Sequence, residues 1–75
     1  MSTYRIVLVP EKDGGYSVFV PALPGCFTQG DTRDEALVMA REAIELHLES
    51  LREHGEPIPA DQVEVTTVEV EVSAA

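Results

Sequence analysis

Hydrophobic and polar positions alternate at the start of the chain, take helical spacing in the middle and alternate again near the end. Thr3 to Val9 (TYRIVLV) is rich in β-branched and aromatic residues and predicts a strand. Its period of two puts Tyr4, Ile6 and Leu8 on one face and Arg5, Val7 and Val9 on the other. Lys12-Asp13-Gly14-Gly15 has turn chemistry, and Tyr16 to Val20 (YSVFV) predicts a second strand, closing an antiparallel hairpin. Tyr16, Val18 and Val20 share one face of it, with Phe19 on the other. Pro21-Ala22-Leu23-Pro24-Gly25 breaks the strand. Pro24-Gly25 suits the two central positions of a type II turn, where the second residue needs a positive φ. Cys26 to Gln29 predicts a short third strand that ends at Gly30.

The spacing then changes. Leu37, Ala40, Ile44, Leu48 and Leu51 recur at intervals of four, four, four and three, which makes one apolar stripe of a helix running from about Arg33 to His54. Ala36, Ala43 and His47 flank the stripe, while Arg41, Glu42, Glu45, Glu49 and Arg52 lie mostly outside it. Thr32 and Glu35 form a capping box: the threonine hydroxyl accepts the Glu35 amide and the Glu35 carboxylate reaches back to the Thr32 amide. Asp34 and Glu35 also place negative charge at the positive end of the helix dipole. Gly55 stops the helix and Pro57 prevents its continuation.

After a short linker, Val63 to Val72 (VEVTTVEVEV) predicts a long final strand. Its alternation slips: Val63 and Val65 are odd, whereas Val68, Val70 and Val72 are even. Either a bulge at Thr66-Thr67 restores one face, or the two halves pack on different bodies, the second on a partner. The expected order is β-β-β-α-β, an α+β fold with an antiparallel sheet and one helix on one face, as a single domain over residues 1–75. One helix covers one side of a sheet. Strands with apolar residues on both faces therefore leave a face or an edge for a second copy, and a homodimer or larger homo-oligomer is expected.

Charge narrows the function. Fourteen acidic residues against five basic ones give a formal net charge of −9. Such a surface disfavours phosphate contacts, so direct nucleic-acid binding is not expected, and it suits a basic partner. No stretch approaches the roughly 20 apolar residues of a membrane span, and the N-terminus lacks the pattern of a signal peptide. A cytoplasmic protein without membrane association is expected. A chain of this length buries only about 60 % of the surface its unfolded form exposes, and its single cysteine, Cys26, allows no internal disulfide. Oligomerisation is then the available source of extra stability.

Candidate chemistry is sparse. Cys26 begins an apolar strand after the Pro-Gly turn, the setting of a packed thiol rather than a nucleophile with a base at hand. His47 and His54 stand about 10 Å apart along the helix, too far to share a metal. Asp31, Asp34 and Glu35 have turn and capping roles, and the first two strands carry no acid from which a two-metal nuclease could be built. Gly14-Gly15 is followed by a strand, not by the helix a phosphate loop requires. No enzyme, cofactor or metal is expected.

Gly15-Tyr16, Val20-Pro21, Leu23-Pro24-Gly25-Cys26, Thr28, Gly30-Asp31-Thr32, Glu35-Ala36 and Glu42-Ala43-Ile44 together resemble the N-terminal domain of HicB-type antitoxins. The resemblance covers Tyr4 to about Leu51. It implies a partly degenerate ribonuclease-H-like fold and a role as antitoxin of a type II toxin–antitoxin pair, neutralising a small basic toxin that cleaves messenger RNA. Many members carry a C-terminal helix-turn-helix or ribbon-helix-helix domain. No such segment is visible here, so operator binding by this chain alone is not expected, and a solitary interaction or regulatory module is the alternative. If a toxin is bound, the candidate contact residues are Glu42, Glu45 and Glu49 on the helix and Glu64, Glu69 and Glu71 on the last strand. Pro24, Gly25, Thr32 and Glu35 are assigned to structural turn and cap roles.

Overall fold

The computed structural model describes residues 2–73. Three strands, β1 (Val7–Pro10), β2 (Tyr16–Phe19) and β3 (Phe27–Gly30), precede one helix, α1 (Arg33–Glu53). The sheet is antiparallel in the order β1-β2-β3. This is the expected β-β-β-α arrangement of an α+β fold. The first strand starts four residues later than its pattern suggests. Val7 pairs with Phe19, and the next residue, Val20, already turns away to bond its amide to the Cys26 carbonyl. Residues 3–6 therefore have no strand opposite them.

The corner between β2 and β3 consists of two consecutive turns. The Leu23 amide bonds to the Val20 carbonyl and the Cys26 amide to the Leu23 carbonyl, both at 3.0 Å. Gly25 occupies the second central position of the latter with φ +83°, as the Pro24-Gly25 pair requires. The corner drives Leu23 fully inward, where it joins Val20 and Cys26 in one small core cluster. A second cluster, Val18, Ala36 and Ala40, lies between sheet and helix, with Ile6, Leu8 and Tyr16 packed against it.

The helix begins as expected, with the Thr32 hydroxyl accepting the Glu35 amide at 3.1 Å. Among the described residues the return bond of the capping box is not made. At the other end, the Gly55 amide bonds to the Arg52 carbonyl and the Glu56 amide to the Leu51 carbonyl, the bond pair of a Schellman motif. The buried stripe is centred on Ala36 and Ala40, one position round from the expected one, and Leu37 sits on the rim. The reason is Gly30. A Cβ built there would lie 2.5 Å from the Ala36 nitrogen and 2.7 Å from its Cα. A glycine facing two alanines lets α1 approach β3 more closely than a leucine stripe could.

The expected fourth strand is absent from the described chain: Val63–Val72 has no sheet pairing. Among the described residues the segment is tethered only at its start. The Asp61 carboxylate accepts the amides of Arg5 and Val63, and the Val63 carbonyl accepts the Arg5 guanidinium at 2.8 Å. Beyond Val63 the chain leaves the body. Ladder groups without a facing strand gain nothing by ordering as a strand, and without pairing there is no bulge at Thr66-Thr67. The radius of gyration is accordingly 15.2 Å, against roughly 11 Å for a compact chain of this length.

Candidate interaction surface

Three surface features remain after the core is assembled. The first is the sheet face opposite α1. Val7, Phe19 and Phe27 are in register across the three strands. They are exposed, Phe27 by 69 % and Phe19 by 48 %, with Val9 beside them. This bears out the expectation of a face that one helix leaves uncovered. Phe27 follows the buried Cys26 directly in sequence. Successive strand residues point to opposite faces, so burying Cys26 turns Phe27 outward.

The second feature is acidic. Glu42, Glu45 and Glu49 are all exposed on α1. Their spacing of three and four places them on one ridge. Glu64, Glu69 and Glu71 are exposed too, but on the projecting segment, outside any strand. The six candidate residues thus form two groups, not one patch, and only the helical group is held by a folded element.

The third is an apolar groove of about 580 Å³ between α1 and the free edge beside β1. Tyr4 and Ile6 form one wall, Leu37, Ala40, Ile44 and Leu48 the other, and Arg41 and Glu45 stand among its polar lining. Periodicity marks most of these residues as core. It does not reveal the groove, which depends on the spacing between α1 and the residues before β1.

Cys26 is buried, and burial pushes its thiol above the usual range. A buried thiol that resists ionisation is packing material rather than a nucleophile. His54 is exposed, its Nδ1 2.7 Å from the Ser50 carbonyl at the helix end. Among the described residues no three His, Cys, Asp or Glu side chains converge as a metal site would require. No helix among them is long and apolar enough to cross a membrane.

A three-stranded antiparallel sheet backed by one helix, with acidic and apolar surfaces but no converging reactive set among the described residues, defines a small α+β domain whose prominent features are surfaces. Comparison with known proteins makes the assignment narrower. The chain matches the model of the HicB-like antitoxin of bacterial toxin–antitoxin systems over residues 4–73, and it belongs to that family. It is 52 % identical to the UPF0150 protein Ta0767 of Thermoplasma acidophilum over 87 % of its own length and 94 % of that protein. It is 46 % identical to antitoxin HicB 1 of Photorhabdus laumondii over 75 % of this chain, although the match spans only 36 % of that longer protein. Its fold is similar to the crystal structure of the N-terminal domain of Burkholderia pseudomallei antitoxin HicB, with a TM-score of 0.65 and 38 % identity, covering 85 % of this chain and 69 % of that one.

Proposed function

We propose that this chain is a non-enzymatic antitoxin that binds and neutralises a small basic toxin, one that cleaves messenger RNA, in the cytoplasm. Membership of the HicB-like antitoxin family over residues 4–73 carries the proposal. The charge supports it: a net −9 surface attracts a basic partner and accelerates their encounter. The ridge of Glu42, Glu45 and Glu49 is the rigid part of that surface and is assigned as the toxin-facing element. Glu64, Glu69 and Glu71 add acidic reach from the projecting segment. The same charge argues against phosphate contacts by these residues.

A second reading, a stand-alone regulatory module without a toxin, is favoured by one observation. The Thermoplasma acidophilum relative is matched over nearly its whole length, whereas the relative named as an antitoxin is much longer than the match. Purification from native cells under mild conditions, with intact-mass analysis of the eluate, separates the two. A stoichiometric basic partner released by the triple variant Glu42→Lys/Glu45→Lys/Glu49→Lys supports the antitoxin and its ridge. Elution of the chain bound only to itself supports the module.

A further inference from the structure

We propose that residues 63–72 are a strand-exchange arm: each arm leaves its own body and pairs with the free edge beside β1 of a second copy, filling that copy's groove under α1. This assembly is independent of any toxin.

The arm has the composition of a strand and lacks the environment of one. Val65, Val68, Val70 and Val72 alternate with polar residues on either side of Thr66-Thr67, yet they are 70, 81, 78 and 84 % exposed. Four valines at this exposure on a ten-residue segment are an unmet demand for apolar contact. The groove is the matching surface. It is lined by Tyr4, Ile6, Leu37, Ala40, Ile44 and Leu48, and it borders a strand edge with no hydrogen-bonding neighbour, since β1 pairs only with β2. An added strand satisfies the edge and the valines together.

Three observations favour a second copy over the chain's own groove. First, the arm is held at its root. Asp61 and the Val63 carbonyl are bonded to Arg5, and the valines beyond that root stay exposed instead of entering their own groove. Second, the whole chain extends 53 Å along its long axis against 27 and 20 Å across. Ten extended residues span about 33 Å, enough to cross a neighbouring groove. Third, the phase slip at Thr66-Thr67 fits a crossing. Val63 is half-buried on its own body, and the even-numbered valines beyond the slip present the opposite face to a neighbour. Glu69 and Glu71 then alternate away from the apolar wall, and Arg41 in the groove lining offers a counter-charge. Exchange of identical segments about a two-fold axis closes the assembly at a dimer.

The test is disulfide trapping in the full chain with Cys26→Ala as background. Val70→Cys is combined with Leu37→Cys in one variant and with Leu48→Cys in a second, and each is oxidised at low protein concentration. Exchange predicts covalent dimers in at least one pairing. It also predicts a shift from dimer to monomer in sedimentation when Val68→Glu/Val70→Glu is introduced, with dimer affinity falling by more than about tenfold because two buried positions become charged. Both glutamates lie on a segment already exposed in the single chain, so the body folds regardless. An intrachain disulfide in a monomer means that the arm returns to its own groove and overturns the proposal. A dimer that the glutamate pair leaves intact, or no crosslink in either pairing, overturns it as well.

Discussion

Gly30→Ala is the smallest change that tests how the helix is seated. The added methyl would lie 2.5 Å from the Ala36 nitrogen, 2.7 Å from its Cα and 3.0 Å from the Glu35 carbonyl carbon. All three are backbone atoms in the first turn of α1, so no side chain can rotate away. Relief requires the helix start to lift from β3 by roughly 1 Å, a gap that forfeits a quarter to a half of each dispersion contact across it. The cluster of Val18, Ala36 and Ala40 lies directly behind that contact. Overpacking of this kind costs about 2–3 kcal/mol, against a total stability of roughly 4–11 kcal/mol for a chain of this length. In a domain this small the loss lowers the Tm by about 10–20 °C. Thermal and urea unfolding followed by circular dichroism measure it, with exposed Gln29→Ala as the control for the strand. A Gly30→Ala protein that melts within about 2 °C of the parent would refute the close approach and the account of why the stripe centres on alanines.

Thr32→Ala removes the side-chain bond to the Glu35 amide at the helix start and should cost about 1 kcal/mol, whereas Thr32→Ser should retain most of it; paired urea titrations compare them. Cys26 should react slowly with a thiol reagent in the native protein and rapidly in urea, because burial both shields it and keeps it protonated. Asp61 is held below the ordinary carboxylate range, chiefly by the amides of Arg5 and Val63 and then by the Arg5 charge. Its clamp is complete above the ordinary aspartate value of 3.8 and is lost as pH falls through the lower folded value. The Arg5 and Val63 amide resonances should shift in that acid window, and Asp61→Asn should abolish the shift. Reversing Glu42, Glu45 and Glu49 together should slow association with the basic partner proposed above and flatten its salt dependence, as stopped-flow mixing at two ionic strengths would show.

Much of this architecture is legible in the sequence because it is local. Pro24-Gly25 and Thr32 act through a turn and a cap that reach three residues, and the hairpin pairs neighbours. What is not legible depends on distances between elements. The helix register turns on Gly30 meeting Ala36, a contact that helical periodicity does not encode, so Leu37 reads as core although it lies on a rim. Val63–Val72 has the alternation of a strand, but alternation states only what the segment wants to bury and not which body it finds. The acidic ridge of Glu42, Glu45 and Glu49 is visible from spacing. The separation of Glu64, Glu69 and Glu71 from it is not, because that follows from the arm leaving the sheet.

The proposed neutralisation is tested by a titration: cleavage of a messenger RNA by the basic partner recovered from native cells, followed against added chain. Neutralisation predicts that cleavage stops at a fixed stoichiometric ratio and returns when Glu42, Glu45 and Glu49 are reversed. Cleavage that persists at excess chain would contradict it and leave a family member whose surfaces serve another protein.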